Sequence, residues 1–216
     1  MSLVCASDVS ERRLSSPVER YYLFHSKIYD ATRWTYLFGR RSLIERIAKL
    51  STPSEILEVG CGTGSNLVTM SRLFSRARIT GLDISEAMLA VARKKLAAIG
   101  DRVTLLHAAY DRPLRPSQPF DLVVFSYCLT MINPGWDKAI EHAHCDLQRG
   151  GLIGVVDFHG SPFALYRRWM WRNHVRLDGH LLPKLTLCFE PRFVEIRPAY
   201  AGCWSYLSFV GAKVDL

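Results

Sequence analysis

A glycine-rich turn and one carboxylate are the residues of this chain whose types and spacing point most directly to chemistry. Residues 58–64 read EVGCGTG, and Asp83 ends the next apolar run in the sequence GLDIS. Glycines let the backbone turn tightly and let a ligand lie against bare main chain. A carboxylate at the tip of a neighbouring strand can accept hydrogen bonds from both hydroxyls of a ribose. The pair therefore predicts a site for a cofactor that contains a nucleoside.

The elements that would position these residues alternate along the middle of the chain. Short apolar runs predict strands over 55–59, 77–82, 103–106, 120–125 and 152–157. Amphipathic segments predict helices over 65–74, 85–99 and 136–147, of which the second has Ser85 as its cap and the third is ended by Gly150-Gly151. Strands that alternate with helices at this spacing are typical of a doubly wound, parallel sheet.

The flanks of this alternating region extend the same domain. Helices are expected over 17–30 and 35–50, after a loosely ordered tail over 1–16. Ser161-Pro162 predicts the start of a further helix, to about residue 173, and two more strands are expected over 192–197 and 203–210. Because no internal repeat or low-complexity linker interrupts the chain, we expect one domain over 1–216, with a cofactor core over 54–160 and a substrate and membrane side over 161–216.

Composition narrows the class of protein. The chain has 216 residues, 49% of them hydrophobic, and no uninterrupted apolar run reaches the roughly 18 residues of a membrane-spanning helix. The N-terminal residues do not resemble a secretory signal. The six cysteines are scattered without a paired spacing, which favours a reducing cytoplasm over a disulfide framework. His142, His144 and Cys145 are close in sequence, but the two imidazoles point apart on a helix, so no metal site is expected.

The net charge of +8 is concentrated at the two flanks. Residues 11–50 carry nine Lys and Arg against four Asp and Glu, residues 161–198 carry seven against three, and residues 51–160 carry eleven of each. Basic flanks indicate an anionic partner, which can be a membrane surface, a nucleic acid or a charged substrate. Ordinary solubility charge is the alternative. No RNA-binding motif is visible, so a nucleic acid is not the expected partner.

The turn differs from a dinucleotide-binding loop. An acidic residue, Glu58, precedes the first glycine, and the later glycine of a GxGxxG loop is missing. The turn resembles the first motif of class I methyltransferases that use S-adenosylmethionine (SAM), and Asp83 resembles their second. The resemblance covers residues 54–157 and implies an α/β, Rossmann-like fold: a seven-stranded, mostly parallel sheet with helices on both faces and an N-terminal helical extension. A degenerate NAD(P) site is the alternative.

The resemblance also implies which residues hold SAM. Many members of the family place an aspartate after the third strand, where this chain has Ala109, so adenine is expected to meet the backbone of Ala108 and Ala109 with Tyr110 alongside. The end of the fourth strand is expected to border the sulfonium and the acceptor. The predicted cofactor residues are Glu58, Gly60, Cys61, Gly62, Gly64, Asp83, Ile84, Met88, Ala108, Ala109, Tyr110 and Ser126.

Segments outside the cofactor core resemble one narrower family, the methyltransferase of bacterial betaine-lipid synthesis. That enzyme trimethylates the amine of diacylglyceryl-homoserine. The resemblance lies in the segments over 29–33 (YDATR), 36–40 (YLFGR), 125–132 (FSYCLTMI), 156–158 (VDF), 174–180 (HVRLDGH) and 200–206 (YAGCWSY). Methyltransfer to phosphatidylethanolamine or to a quinone precursor is the alternative, and a non-catalytic module that binds SAM or nucleic acid is a third reading.

Aromatic and basic side chains agree with a lipid acceptor. The segment after Pro162 interleaves Phe163, Leu165, Trp169, Met170 and Trp171 with Arg167, Arg168 and Arg172. This mixture suits the boundary between headgroups and acyl chains, although a packed aromatic core with solvated arginines gives the same pattern. We therefore expect a lipid substrate at an anionic membrane surface and peripheral attachment to the cytoplasmic face.

The chemistry of methyl transfer to an amine suggests the remaining candidates, which are the catalytic and substrate-binding residues. A substrate amine must lose a proton before it attacks the methyl group, and we expect Tyr29, Asp157 and His174 to handle that proton. A helix cap is the alternative role of Asp157, and a polar helix end that of His174. The substrate residues are expected to be Arg33 or Arg176 for a carboxylate and aromatic faces for the methylated cation. Those aromatic candidates are Tyr29, Tyr36, Tyr127, Tyr200, Trp204 and Tyr206.

Overall fold

A computed structural model describes residues 37–114 and 118–214. The predicted tail over 1–16, the predicted helix over 17–30 and the first residues of the helix predicted over 35–50 lie outside this part of the chain.

The described strands form one seven-stranded sheet in the order β3-β2-β1-β4-β5-β7-β6. Strands β1 to β5 run parallel, and β7 lies antiparallel between β5 and β6. Their bounds are β1 Glu55–Val59, β2 Arg78–Asp83, β3 Val103–His107, β4 Phe120–Ser126, β5 Leu147–Gly160, β6 Glu190–Ala199 and β7 Trp204–Ala212. The predicted fold class is confirmed.

Helices cover both faces of the sheet. The described helices are α1 Arg40–Leu50, α2 Ser65–Leu73, α3 Glu86–Leu96, α4 Trp136–Asp146, α5 Ala164–Arg172 and α6 Leu181–Cys188, with short 3-10 turns at Gly100–Arg102, Leu129–Met131 and Tyr200–Gly202. Alternate residues of β4 separate two cores: Leu122 packs with α1, α2, α3 and α5, whereas Val123 packs with α4 and α6. Within the described residues, no helix combines the length and the apolar character needed to cross a bilayer.

Several boundaries differ from those predicted. Helix α4 ends at Asp146, before the predicted glycine stop, because the next residue, Leu147, already pairs with Phe120 as the first residue of β5. Helix α5 begins at Ala164, after Pro162, and Ser161 Oγ accepts a hydrogen bond from the N–H of Phe163 at 3.1 Å. The predicted cap at Ser85 is confirmed, since its hydroxyl accepts from Met88 N at 3.4 Å.

Strand β6 lies at one edge of the described sheet. Two ion pairs follow it along its length, Arg192 to Glu190 at 2.9 Å and Arg197 to Glu195 at 2.8 Å. Pro191 and Pro198 lie near its ends. The strand therefore presents alternating charges and two residues that lack a backbone N–H.

Helix α1 rests directly on the backbone of β5. A Cβ atom added at Gly154 would lie 2.6 Å from Ile47 Cδ1, so the glycine makes room for this side chain. Ile47, Leu43 and Ile44 are buried, whereas Leu50, at the end of the same helix, is exposed. This contact fixes the position of Arg40 at the start of α1, above the ends of the strands.

We predict that Ile47→Ala lowers the free energy of unfolding by about 2–5 kcal/mol, because a fully buried aliphatic side chain leaves a cavity when truncated. Leu50→Ala is the matched control in the same helix and should change it by no more than about 0.5 kcal/mol. Urea denaturation followed by circular dichroism measures both. Equal effects of the two substitutions would contradict the packing described for α1.

Candidate active site

The turn after β1 is held against the end of β2 by its own backbone. Gly60 N and Cys61 N both donate to the carbonyl of Leu82, at 2.8 and 3.0 Å. Gly60, Gly62 and Gly64 have φ angles of +70°, +54° and +76°, in the left-handed region that favours glycine. A Cβ atom at Gly60 would lie 2.8 Å from Cys128 Cβ. The turn is therefore a bare-backbone cradle that a side chain at residue 60 would distort.

Asp83 closes the cradle from the side of β2. Its Oδ2 accepts a hydrogen bond from Gly62 N at 2.7 Å, and its Oδ1 accepts from Ser85 N at 2.9 Å. The turn and the carboxylate thus face each other, as the sequence predicts. A carboxylate at this position, at the tip of the strand next to the turn, is the kind of group to which the hydroxyls of a ribose donate.

A cavity of about 200 Å³ opens beside the cradle. Its lining residues are Leu37, Arg40, Glu58, Gly60, Cys61, Gly62, Thr63, Ser65, Asn66 and Ser126. Two of these lining residues, Glu58 and Ser126, carry a buried oxygen, Oε2 and Oγ, that has no hydrogen-bond partner among the described residues. Buried polar atoms normally have partners, so orphaned ones beside a cavity indicate a ligand.

The donor set fits the methionine half of SAM, which carries one ammonium and one carboxylate group. Glu58 Oε2 would take the ammonium, and Arg40 supplies positive charge for the carboxylate on the same cavity wall. Asn66 Nδ2 donates to Glu58 Oε1 at 2.7 Å and so orients the acid. Gly60 lines the same cavity with backbone atoms only, and the lack of a Cβ atom there lets Cys128 pack against it.

Burial raises the pKa of Glu58 from its ordinary value of 4.5 to about 8. The hydrogen bond from Asn66 and the charge of Arg40 lower this pKa, while the nearby carboxylate of Asp83 raises it, and burial outweighs them. Glu58 therefore holds a proton at neutral pH when no cation lies beside it. Because the folded-state pKa is raised, the favourable contribution of this group to stability is present below pH 4.5 and is lost as the pH rises towards 8.

The adenine side of the site is open. Ile84 follows Asp83 with 62% of its side chain exposed, and Ala108 N donates to Asp83 O at 3.2 Å, which places the end of β3 next to it. Ala108 and Ala109 are exposed there, whereas Met88 is buried in α3. Exposed aliphatic surface next to Asp83 suits the flat face of a purine, as the prediction of an adenine site there requires.

Tyr110 does not lie alongside the expected adenine. Its side chain is buried in the core on the α4 face, where the hydroxyl donates to Asp146 Oδ2 at 2.8 Å and the ring lies 6.1 Å from that of Phe125. The prediction for this side chain is wrong, because an apolar pocket and a buried acceptor hold it in the core instead. Cys61 is also buried, and its sulfur lies next to Gly81.

Aromatic side chains gather on the acceptor side. The hydroxyl of Tyr127 donates to the carbonyl of Phe38 at 2.8 Å, and the ring of Phe38 lies 5.6 Å from Tyr200 and 6.3 Å from Tyr206. Trp204 lies 6.0 Å from Phe38. Phe158 packs against Tyr127 at 4.9 Å, so these six rings form one aromatic cluster. Tyr127 and Tyr200, at φ +54° and +47°, are held in a left-handed conformation that costs non-glycine residues free energy.

Asp157 has structural partners within the fold. Its side chain is fully buried, and it accepts hydrogen bonds from Thr130 N at 3.2 Å, Thr130 Oγ at 2.5 Å and Phe158 N at 2.8 Å. Burial raises its pKa to about 6. Both oxygens are engaged within the fold, so Asp157 fixes the 3-10 turn after β4, and its predicted role in proton transfer stays a prediction.

The other catalytic and substrate candidates are placed as follows. Tyr29, Arg33 and Tyr36 lie outside the described residues. His174 is exposed after α5 at φ +62°, with its N–H bonded to Trp171 O, and it is not part of the described cavity lining. Arg176 forms an ion pair with Asp178 at 2.6 Å. The predicted roles of these residues in proton transfer and substrate binding stay predictions.

Sequence reasoning missed four polar residues of the cavity wall, which are Arg40, Thr63, Ser65 and Asn66. Arg40 lies in the segment over 36–40 that carries the family resemblance, yet only the packing of α1 on β5 brings it over the cradle. Asn66 follows the last glycine of the turn and lies in the first turn of α2. The sequence did contain a signal for Asn66: an amide side chain in the first turn of the helix, close to the acid at the end of the preceding strand, could have been predicted to hydrogen-bond to Glu58.

We predict that Asp83→Asn weakens SAM binding at least about tenfold, because the substitution removes the charge that strengthens hydrogen bonds from a ribose while keeping the size of the side chain. Isothermal titration calorimetry measures the affinity. Asp101→Asn, on an exposed 3-10 turn, is the control and should leave it unchanged. If Asp83→Asn binds SAM as tightly as the unaltered protein, the contact between Asp83 and the ribose is contradicted.

A second prediction concerns proton release. Placing an ammonium group beside Glu58 favours its ionised form, so we expect SAM binding at neutral pH to release close to one proton and to tighten as the pH rises from about 6 to 8. Calorimetry in two buffers of different ionisation enthalpy counts the proton. Glu58→Gln should abolish both effects, and binding without proton release in the unaltered protein would contradict the assignment.

Comparison with known proteins agrees with this geometry. Residues 56–151 match the model of a family described as a methyltransferase domain. The chain is 30% identical over 197 residues to the demethylmenaquinone methyltransferase of Thermus thermophilus, covering 86% of this chain and 88% of the relative. It is 33% identical over 163 residues to the phosphatidylethanolamine N-methyltransferase of Cereibacter sphaeroides, covering 71% and 78%. A demethylmenaquinone methyltransferase of Clavibacter sepedonicus is 35% identical over 149 residues, which is 66% of this chain, but the match spans 58% of that protein.

Solved structures share the fold at low sequence identity. The N-methyltransferase NodS of Bradyrhizobium japonicum, in complex with S-adenosylhomocysteine, has a TM-score of 0.67 at 18% identity, over 82% of this chain and 87% of that one. The 1,6-didemethyltoxoflavin-N1-methyltransferase of Burkholderia thailandensis, also with bound S-adenosylhomocysteine, has the same score and identity over 95% and 94%. With the glycine cradle, Asp83 and the relatives in agreement, this chain belongs to the class I methyltransferases, whose cofactor is S-adenosylmethionine.

Proposed function

We propose that the protein methylates the amine of a membrane-lipid headgroup, and that this lipid is diacylglyceryl-homoserine, which it converts to a trimethylated betaine lipid. The observation that carries the proposal is the aromatic cluster next to the cofactor cavity. Two further points support it: the resemblance of the segments over 36–40, 125–132 and 200–206 to the betaine-lipid enzymes, and the similarity to a phosphatidylethanolamine N-methyltransferase.

The cluster suits a substrate that becomes a fixed cation. Successive methylation of an amine ends in a quaternary ammonium group, which the negative faces of aromatic rings attract by about 0.5–2 kcal/mol. Phe38 and Tyr200 are the most exposed rings of the cluster, while Trp204 and Tyr206 are buried behind them. An amine that approaches the cavity past Phe38 would therefore meet aromatic faces that tolerate both its size and its final charge.

The turn over 37–40 joins the cluster to the cofactor cavity. Leu37 and Arg40 line the cavity, and Phe38, between them, is at the centre of the aromatic cluster. Gly39, at φ +80°, lets the chain pass close to Tyr206, because a Cβ atom there would lie 2.6 Å from that ring. Tyr127, which follows the cavity residue Ser126, anchors the turn through the carbonyl of Phe38.

In methyl transfer the cofactor supplies an electrophilic methyl group, and the chain has to align the amine with it and keep water out. Tyr127 takes part as a positioning residue. Its hydroxyl is committed to the carbonyl of Phe38, and burial raises its pKa well above the usual range, so the phenol keeps its proton. The proton of the substrate amine must therefore pass to another acceptor, for which Tyr29, Asp157 and His174 stay the proposed candidates.

Methylation of a quinone precursor is the second candidate. It is favoured by the similarity to the demethylmenaquinone methyltransferases of Thermus thermophilus and Clavibacter sepedonicus. Both candidates have a hydrophobic acceptor, and they differ in whether the product carries a positive charge.

The test is to incubate the protein with labelled SAM and, separately, diacylglyceryl-homoserine, phosphatidylethanolamine and demethylmenaquinone, each in mixed micelles. We expect label in the first lipid, with the trimethylated product identified by mass spectrometry. Label in phosphatidylethanolamine alone, or in the quinone alone, would overturn the named substrate.

Truncation of Tyr200, the most exposed ring of the cluster, distinguishes an amine substrate from a quinone. Tyr200→Ala should raise KM for the lipid amine about three- to tenfold, in proportion to one lost cation–π contact, and leave SAM affinity unchanged. Phe193→Ala is the control. Phe193 lies on β6, where its ring packs against the guanidinium group of Arg46, and it is not a member of the aromatic cluster. A quinone substrate, which gains no charge, should respond less to Tyr200→Ala than an amine does.

A further inference from the structure

Helix α5 exposes an unusual amount of apolar surface. Leu165 is 81% exposed, Trp169 58%, Trp171 59%, and Phe163, which precedes the helix, 56%. The helix rests on the body of the protein through the buried Met170 and the half-buried Tyr166. Large apolar side chains grouped in this way mark an interaction surface, whereas single exposed ones do not.

The charge of the same segment is of one sign. Residues 161–177 contain Arg167, Arg168, Arg172 and Arg176 and no Asp or Glu. Arg168 and Arg172, four residues apart, share the outward face of α5 with Leu165, and the two tryptophans flank that face. Arginine stems can lie along apolar surface while their heads reach phosphate groups.

These features fit a lipid surface better than a nucleic acid. A nucleic acid would satisfy the arginines but would leave Leu165 and Phe163 in water. An anionic bilayer takes both, since indole and aliphatic side chains enter the headgroup boundary while guanidinium groups meet lipid phosphates.

The helix is also tied to the acceptor side of the site. Ser161 Oγ donates to the carbonyl of Cys203 at 2.6 Å, and Arg167 Nη1 donates to the carbonyl of Ser161 at 2.6 Å. Cys203 precedes Trp204, a member of the aromatic cluster, and Tyr200 lies in the same 3-10 turn region. A surface that covers α5 would therefore lie close to the rings that we propose for the acceptor.

We propose that α5, together with Phe163, is an interfacial helix that docks the protein on an anionic lipid bilayer and brings the aromatic cluster to the headgroups. The inference rests on the surface of the helix itself. It applies to any acceptor carried in a membrane, so it survives if diacylglyceryl-homoserine is not the substrate.

The experiment is co-sedimentation with phosphatidylcholine vesicles, with and without phosphatidylglycerol, in the absence of SAM and of any acceptor amine. We expect binding only to the vesicles with phosphatidylglycerol, and weaker binding at high salt. Arg168→Glu/Arg172→Glu should weaken it about tenfold or more, as should Leu165→Ala/Trp169→Ala, in which apolar burial is lost. SAM affinity and thermal stability should be unchanged in all variants, because these side chains are exposed.

Matched controls use exposed residues elsewhere. Arg76→Glu/Lys94→Glu makes the same change in charge, and Leu73→Ala/Leu187→Ala removes comparable apolar surface. The proposal is overturned if the unaltered protein ignores both kinds of vesicle, if it binds both equally, or if the controls lose as much binding as the α5 variants. It is also overturned if the α5 variants convert a dimer to a monomer in light scattering, since a second copy would then cover the helix.

Discussion

The backbone of the turn over 60–64 has to stay bare and fixed at the same time, and the rest of the site is arranged around that constraint. Glycine supplies the bare surface, but its flexibility would leave the turn without a defined shape. The carbonyl of Leu82 and the carboxylate of Asp83 remove that freedom by taking three successive N–H groups, those of Gly60, Cys61 and Gly62. Strand β2 therefore acts as a template for the turn, and the order of strands in the sheet decides where the cofactor lies.

The buried acid beside this turn, Glu58, is a second constraint on the site. Glu58 is fully buried, and burial makes its ionised form unfavourable. The hydrogen bond from Asn66 fixes the orientation of the carboxyl group. Arg40 offsets only part of this penalty, so an ammonium group placed beside Glu58 would favour its ionised form. A site built in this way discriminates by charge as well as by shape.

The sheet was predictable from sequence because each strand is a short apolar run set apart by helical periodicity, and β4 is apolar on both faces, as buried parallel strands are. Helix α6 was missed because Pro183 lies inside a segment of only eight residues, which reads as a loop. Strand β5 was predicted too short because its pairing begins at Leu147, where the sequence QRGG that follows carries no strand signal. In both places tertiary contacts outweigh local preference.

The geometry of the candidate cofactor site agrees with the sequence where it depends on backbone shape, at the glycines and at Asp83. The structure differs from the sequence prediction where a side chain can point either into the site or into the core. Tyr110 and Asp157 are polar residues at strand ends, and both found internal partners, in Asp146 and Thr130, that no spacing rule reveals. Arg40 was assigned no role because its place depends on how a whole helix packs.

Strand β6 shows how the sheet ends. An edge strand with free N–H and C=O groups is a template on which another chain can add itself. Here the Glu190–Arg192 and Glu195–Arg197 pairs set charges along the edge, and Pro191 and Pro198 withhold donors near its ends. An incoming strand would have to displace charged side chains from water and would meet gaps in the ladder. The β6 edge thus resists fibril-like growth, although Val194 and Ile196 of the same strand are 42% and 44% exposed.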